Sequence, residues 1–245
     1  MRRVIHVLLA LTALVIVGCS SSEPVITSET STTGPHTTMT PQLNTSARQT
    51  NIASVSAMTP IIDGTEIPTL NISPLPQNLP PYTRKSWRHW IDEDSDCQNT
   101  RHEVLLEESA EPVQFTNSKE CSILTGSWNG QFTGAHFTTA RNLDVDHMVP
   151  LANAHRSGGW AWNASTKKAY ANDLSYTGHL IAVSASANRS KGDKGPEHWR
   201  PPDKTYWCTY ALDWIHIKDT WKLSATTAEW EALGEMLETC PVDSQ

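Results

Sequence analysis

Helical and strand-like spacing of apolar residues is confined to the part of the chain after about residue 81. Near the C-terminus, apolar or long side chains recur at helical spacing, at Trp207, Ala211, Trp214, Lys218 and Trp221. This spacing predicts one helix. Thr226 and Glu229 have the spacing of a capping box, so a second helix is expected to run from there towards Cys240. We expect the two helices to form an antiparallel pair.

The middle of the chain has a different pattern. Two short apolar runs, 143–151 and 179–184, are typical of strands, and 185–191 suits a short helix. Between the two runs, Asn163 can cap a helix over 164–172. The predicted order is therefore strand, helical insertion, strand, short helix.

The N-terminus has the features of an export signal. Arginines precede an apolar run at 4–17, which is too short for a comfortable transmembrane helix. The residues at 16–19, Ile-Val-Gly-Cys, resemble a bacterial lipobox, in which cleavage precedes a cysteine whose thiol then receives lipid. We expect 1–18 to be a lipoprotein signal peptide and Cys19 to be the lipidated residue that anchors the protein to the membrane. An ordinary signal peptide is the alternative, and both readings predict an exported protein.

The segment from 19 to 80 is rich in Ser, Thr and Pro and carries few charges. Such a composition does not bury enough apolar surface to offset the entropy of ordering. We therefore expect a disordered tether at 19–80 and one folded domain at 81–245. All ten tryptophans lie in that domain.

Besides Cys19, the exported part contains four cysteines: Cys97, Cys121, Cys208 and Cys240. An even number in an exported chain predicts two disulfides. Three pairings are formally open, and we expect the one that closes short loops, Cys97 with Cys121 and Cys208 with Cys240. A zinc site is less favoured because the chain has no Cys-x-x-Cys pair.

The net charge of −7 excludes binding of polyanions through bulk charge. Residues 81–245 hold sixteen Lys and Arg against twenty-two Asp and Glu, whereas 141–204 hold nine against six. This locally basic strip predicts weak, salt-sensitive binding to phosphates. An ordinary mixed-charge surface is the alternative interpretation.

The candidate chemistry lies within that strip, in Asp146-His147 and in Asn188-Arg189-Ser190-Lys191. Hydrolysis of a phosphodiester needs a base to activate water, a cation at the phosphate oxygens and donors that hold the phosphate. His147 suits the first task. Oxygen atoms of Asp146 and Asn188 suit a magnesium ion for the second. Arg189 and Lys191 suit the third.

These residues resemble those of HNH endonucleases with the ββα-metal fold, and the match looks closest to the exported branch with disulfides. The resemblance rests on Asp-His-x-Val-Pro at 146–150, an apolar strand, and Asn-Arg-x-Lys-Gly-Asp at 188–193. It implies an α+β fold: a ββα-metal core with a helical insertion and a C-terminal helix pair. It also implies that His147 is the general base, that Asp146 and Asn188 bind one divalent metal, and that His179 orients the base. Many members have Asn where His179 stands.

Three further expectations concern the site. The ion is expected to be Mg²⁺, with Mn²⁺ or Ca²⁺ as alternatives. Neighbouring residues of a regular strand point to opposite faces, so a strand end or bulge is required for Asp146 and His147 to serve one centre. Asp144 is the fallback ligand, and Arg101, which follows Cys97 closely, is a further candidate phosphate contact.

The function predicted from these features is metal-dependent endonuclease activity on nucleic acid, DNA before RNA. No sequence-reading module is recognisable, so little sequence specificity is expected, and no protein partner is implied. Two other classes stay open. One is a surface lipoprotein that uses an inactive HNH fold to bind a ligand, and the other is a metallohydrolase with zinc on His147, His155 and His179.

Overall fold

The computed structural model describes residues 61–62 and 65–241. The predicted signal peptide at 1–18, Cys19 and most of the predicted tether lie outside the described residues. Within the part of the chain that is described, no helix combines the length and the apolar content needed to cross a bilayer.

The described chain has a mixed α/β architecture. Its strands, in chain order, are β1 (Ile61–Ile62), β2 (Thr65–Glu66), β3 (Gln114–Phe115), β4 (Ile123–Gly130), β5 (Ala135–Thr139), β6 (Leu143–His147) and β7 (Leu180–Ser184). Its α-helices are α1 (Thr100–Glu107), α2 (Leu151–Arg156), α3 (Ala164–Ala171), α4 (Ala185–Lys191), α5 (Trp207–Thr220) and α6 (Thr227–Leu237). The strands form three antiparallel sheets: β1 with β2, β3-β4-β5, and β6 with β7.

The pair of β6 and β7 forms the centre of the domain. Its register runs from Leu143 opposite Ser184 to His147 opposite Leu180. All five residues of β7 are buried, as its continuous apolar sequence predicts. Ser184 ends the strand and caps α4, because its side chain accepts a hydrogen bond from the amide of Ala187. The short helix after β7 is therefore confirmed.

The first predicted strand is shorter than expected. We predicted 143–151, but β6 ends at His147 and α2 begins at Leu151. Proline has no amide hydrogen to donate to a sheet, so Pro150 could not continue the ladder; it takes the N-cap position of α2 instead. The helical insertion between β6 and β7 then continues with α3, where the side chain of Asn163 accepts from the amide of Thr166, as predicted for a cap.

The C-terminal helix pair is confirmed, including its capping box. The side chain of Thr226 accepts from the amide of Glu229, and the side chain of Glu229 accepts from the amide of Thr226. Both expected disulfides are present, Cys97–Cys121 and Cys208–Cys240. The second one joins the start of α5 to the end of α6, so it fixes the scaffold against which the central unit packs.

The segment 66–80 lies against the domain, although the sequence assigned it to the tether. Ile67 and Leu70 are only 3% and 5% exposed. The amide of Ala225 donates to the carbonyl of Asn71, and the carbonyl of Ala225 accepts from the amide of Ser73. Isolated apolar side chains anchor this proline-rich segment, and a local composition average does not detect such anchors. Contacts with the domain therefore begin before residue 81.

Candidate active site

A cleft of about 320 Å³ opens where β6 ends, beside α2 and α4. We call it the strand-end cleft. Its lining residues are Tyr82, Arg84, Val145, Asp146, His147, Pro150, Leu151, Ala152, Asn188, Gly192 and Asp193. Three of the predicted site residues, Asp146, His147 and Asn188, thus share one concave surface.

The end of β6 explains how Asp146 and His147 reach the same cleft. His147 is the last residue of the strand, so the strict alternation of sides no longer applies beyond it. The next amide, that of Met148, donates to the carbonyl of His179 at 2.9 Å and fixes the chain as it leaves the strand. The predicted requirement for a strand end or bulge is met by a strand end.

The ring of His147 is held in one orientation. It stacks with Trp90 at a centroid distance of 5.4 Å and with Tyr170 at 6.4 Å, and its Nε2 lies 2.9 Å from the carbonyl oxygen of Ala171. Because a carbonyl oxygen only accepts, Nε2 carries the proton and Nδ1 keeps its lone pair. Burial, with a smaller contribution from His179, holds the pKa of His147 well below the usual value. At neutral pH the ring is therefore uncharged, in the form a general base requires.

Asp146 pairs with Lys191 in the interior. The ammonium of Lys191 lies 2.6 Å from Asp146 Oδ2 and 2.9 Å from the carbonyl oxygen of His147. Burial raises the pKa of Asp146, and the ammonium of Lys191 opposes that rise. Asp146 Oδ1 makes no hydrogen bond with the described residues, and the residue lines the cleft, so one carboxylate oxygen is available to a ligand.

Lys191 does not take the role that the sequence predicted. Its side chain is 0% exposed and lies near the rings of Phe132 and Trp214, at 5.7 and 5.9 Å from their centroids. A phosphate cannot reach it in this arrangement. The position one helical turn after Asn188 led us to expect a surface cation, but that face of α4 packs against the core, and the lysine offsets the charge of Asp146 instead.

Asn188 is oriented by Asp144, which was the fallback metal ligand. The amide nitrogen of Asn188 donates to Asp144 Oδ2 at 3.0 Å. An ionised carboxylate only accepts, so the amide nitrogen must face it and the carbonyl oxygen of Asn188 points away. Asp144 therefore acts through Asn188.

The donors available in the cleft fit a divalent ion. One carboxylate oxygen of Asp146 and the carbonyl oxygen of Asn188 belong to the hard oxygen donors that Mg²⁺ prefers. Mg²⁺ commonly keeps several waters and takes only one or two protein ligands besides substrate phosphate, so a two-residue set is sufficient.

His179 does not reach the cleft. It is 1% exposed, its Nε2 lies 2.8 Å from the carbonyl oxygen of Tyr170, and its ring centroid is 6.2 Å from that of His147. Burial lowers its pKa to about 4. The two histidines therefore bind consecutive carbonyls at the end of α3, those of Tyr170 and Ala171. His179 therefore contacts the same helix end as His147 and does not line the cleft.

The two predicted arginine contacts lie in different surroundings. Arg101 donates from one guanidinium nitrogen to the carbonyls of Ala140 and Leu143, at 3.1 Å each, and so holds the start of β6. It is not among the residues that line the cleft. Arg189 is exposed on α4, next to Asn188, and lines a neighbouring groove.

Sequence reasoning missed Arg84 and Tyr82, both of which line the cleft. They fall at the assumed junction between tether and domain, where we sought no chemistry. A signal was present: 83–90 reads Thr-Arg-Lys-Ser-Trp-Arg-His-Trp, in which cations alternate with aromatic residues. Basic residues interleaved with aromatics are a feature of nucleic-acid-binding surfaces.

The three-histidine zinc site is not formed. His147, His155 and His179 each direct Nε2 to a different backbone carbonyl, those of Ala171, Pro80 and Tyr170. Among the described residues, the histidine, cysteine and acidic side chains close enough to share an ion are Asp92, Asp94 and Asp96, which are exposed and outside the cleft.

Comparison with known proteins identifies a family for most of the folded region. A model of the family described as GmrSD restriction endonucleases, C-terminal domain, matches residues 99–236, which is more than half of the chain. The chain belongs to this family. The match supports an HNH-type endonuclease family and includes Asp146, His147 and Asn188, whereas the GmrSD C-terminal domain begins after Tyr82 and Arg84.

One relative has a printed description as a secreted protein. An uncharacterized secreted protein of the fungus Arthroderma benhamiae is 45% identical over 159 residues, which cover 65% of this chain and 76% of the relative. No solved structure matches the chain significantly.

Proposed function

We propose that this protein is an exported, metal-dependent endonuclease that hydrolyses phosphodiester bonds of nucleic acid in the strand-end cleft. The observation that carries the proposal is the arrangement of His147. Its ring is neutral, its Nδ1 has no hydrogen-bond partner among the described residues, and it lines the same cleft as Asp146 and Asn188. Membership of the GmrSD C-terminal domain family supports the nuclease chemistry.

In the proposed reaction, His147 Nδ1 takes the proton from the attacking water while Nε2 stays bonded to the carbonyl of Ala171. That bond favours the imidazolium that forms, since the carbonyl dipole faces the positive ring. A divalent ion on Asp146 and Asn188 would polarise the phosphate and stabilise the leaving oxygen. Arg84 places a guanidinium in the same cleft, where it can bind a phosphate oxygen.

The buried partners of these residues limit how far each can move. Lys191 fixes Asp146, Asp144 fixes Asn188, and the end of α3 fixes His147. A site whose groups are already oriented loses little entropy on reaching the transition state. The order β6, β7, α4 also supports assignment of the central unit to the ββα-metal fold.

An extracellular location is part of the proposal. It is supported by the two disulfides, which persist in oxidising compartments, and by the printed description of the fungal relative as secreted. Lipid attachment to Cys19, with the membrane as its partner, remains the prediction made from the sequence at 16–19.

The test uses the full chain, purified with its disulfides intact, and a His147→Ala variant of equal stability. Plasmid and single-stranded DNA, and RNA in parallel, are incubated with Mg²⁺, Mn²⁺, Ca²⁺ or EDTA. We expect cutting by the wild type that EDTA abolishes and that falls by about 10²–10⁴-fold in the variant. Binding without cutting in every metal would contradict the proposal and favour an inactive fold that acts as a binding module.

A further inference from the structure

We propose that the substrate's sugar–phosphate backbone follows a track through the strand-end cleft and is held there by two basic grooves that adjoin the cleft. The inference rests on the proposed nuclease function and adds to it the residues that hold the substrate on either side of the scissile phosphate.

The first groove lies between the 85–88 segment and α3. We call it the α3 groove; its volume is about 490 Å³ and its lining residues are Lys85, Ser86, Arg88, Ala164, Ser165, Lys167 and Lys168. Four of the seven are cations and none is acidic. Lys168 is paired with Glu93 at 2.8 Å. Lys85, Arg88 and Lys167 have no such partner among the described residues.

The second groove lies along α4 and β5. This α4 groove also has a volume of about 490 Å³, and its lining residues are Thr133, Ala135, Phe137, Arg141, Asn142, Ser184, Ala185, Ser186 and Arg189. Arg141 and Arg189 supply two charges, and hydroxyl and amide groups supply further hydrogen-bond donors. Again no carboxylate faces the groove.

Neighbouring residues join both grooves to the cleft. Arg84 lines the cleft and Lys85 lines the α3 groove. Asn188 lines the cleft and Arg189 lines the α4 groove. A backbone that places one phosphate at His147 therefore has two grooves with cationic side chains next to that phosphate.

The charges on the rest of the surface favour this path over others. Two further concave surfaces border α1, and both are acidic. One is lined by Glu103, Glu107 and Glu108. The other is lined by Glu93, Asp94, Glu103 and Asp173, and it meets the α3 groove at Lys168, its one cation. On a chain with a net charge of −7, such segregation repels a polyanion from the α1 side and attracts it to the track.

The test measures binding of labelled single-stranded and duplex DNA of random sequence to the full chain, in a His147→Ala background so that the probe stays intact. The groove variant is Lys85→Gln/Arg88→Gln/Lys167→Gln. Its matched control, Lys119→Gln/Lys204→Gln/Lys222→Gln, removes the same charge from exposed positions outside both grooves. Fluorescence anisotropy at several salt concentrations gives the affinity and its salt dependence.

We expect the groove variant to lower the slope of log affinity against log salt by about 2–3, because each phosphate contact contributes roughly 0.7–0.9. Arg141→Gln/Arg189→Gln should lower it by about 1–2. The control should keep the parental slope. With His147 restored, the groove variants should raise KM more than they lower kcat.

Equal losses in the groove variant and its control would overturn the track, because only total charge would then matter. Failure of the track is distinguishable from failure of the nuclease proposal. A wild type that cuts DNA while groove and control variants bind alike refutes the track alone. If the wild type never cuts DNA, but the groove variants bind DNA more weakly than the control variant, the nuclease proposal is refuted and the track is retained.

Discussion

Two lysine ammonium groups lie near the ring of Trp214, each 5.9 Å from its centroid, and each pairs with a buried carboxylate. Lys218 binds Glu229 at 2.5 Å, and Lys191 binds Asp146 at 2.6 Å. Both lysines are 0% exposed. By composition and burial, the two pairs are nearly the same.

The two pairs differ in whether the carboxylate oxygens accept further hydrogen bonds within the fold. Glu229 Oε1 also accepts from Trp214 Nε1 at 2.6 Å, and its Oε2 accepts from the amide of Thr226. Lys218 donates further to Ser157 and Ser224. Both carboxylate oxygens of Glu229 and the ammonium of Lys218 therefore have hydrogen-bond partners inside the fold. Asp146, by contrast, has one free oxygen and lines a cleft. A buried ion pair indicates a functional site only when part of it stays open to a ligand.

The largest difference between the two pairs is expected in cleavage activity when each carboxylate is replaced by its neutral amide. Asp146→Asn should lower metal-dependent cleavage by at least about 10²-fold, because a charged metal ligand contributes several kcal/mol to the transition state. Glu229→Gln should leave cleavage per folded molecule within about threefold. Initial rates on plasmid DNA, normalised to the folded fraction from circular dichroism, measure both. Similar rate losses in the two variants would remove the distinction between them.

Removal of each lysine should cost stability in both pairs but respond differently to metal. Lys191→Met and Lys218→Met should each lower the free energy of unfolding by about 3–5 kcal/mol, since each leaves a buried carboxylate without its cation. Added Mg²⁺ should shrink the difference from wild type in Lys191→Met, where an ion can replace the lost cation at Asp146, and should leave that difference unchanged in Lys218→Met, whose metal site is intact. Urea unfolding of wild type and both variants, with and without Mg²⁺, measures these differences. A difference from wild type that Mg²⁺ leaves unchanged in both variants would count against an open Asp146.

A third carboxylate, that of the partly buried Glu108, accepts hydrogen bonds within the fold without a paired cation. Both of its oxygens accept from the amide of Ala182 on β7, and burial raises its pKa to about 7. A pKa raised on folding means that ionisation opposes folding, so this group removes stability as pH rises from about 4.5 to 7. The free energy of unfolding of Glu108→Gln, relative to wild type, should rise by about 1–3 kcal/mol between pH 5 and pH 8.

The smallest effect is expected at His179, which contacts no substrate. His179→Asn can still donate to the carbonyl of Tyr170, so cleavage should stay within about tenfold of wild type, whereas His179→Leu should lose more. The wild-type group has a pKa lowered to about 4, so its neutral form favours folding above pH 6.5 and that stability is lost as pH falls towards 4. Acid unfolding curves of the Asn variant should show a weaker dependence over that range.

Local sequence signals predicted the scaffold well. The capping box at Thr226, the Asn163 cap and the strand-to-helix step at Ser184 depend on neighbours within a few residues, and the structure has each of them. The disulfides followed from loop lengths and compartment. The family resemblance placed Asp146, His147 and Asn188, which the structure brings to one cleft.

The errors have a common physical cause. Whether Lys191 faces solvent or Asp146 depends on Phe132 and Trp214, which are distant in sequence. Arg101 likewise reaches carbonyls about forty residues away, at Ala140 and Leu143. Arg84 lines the cleft only because its segment packs beside β6, α2 and α4, which follow it by about sixty residues or more. Residue type and spacing identify charged groups, but long-range packing decides which of them remain accessible.

The central claim is a division of labour in the strand-end cleft: Asp146 and Asn188 hold the metal, and His147 moves the proton. Titration of Mn²⁺ by electron paramagnetic resonance, on the same samples used for DNA cleavage, tests it directly. We predict that His147→Ala binds Mn²⁺ as wild type does while cleavage is lost, and that Asp146→Asn loses both. Loss of Mn²⁺ binding in a folded His147→Ala variant would contradict the account, because His147 would then be a ligand and not the base.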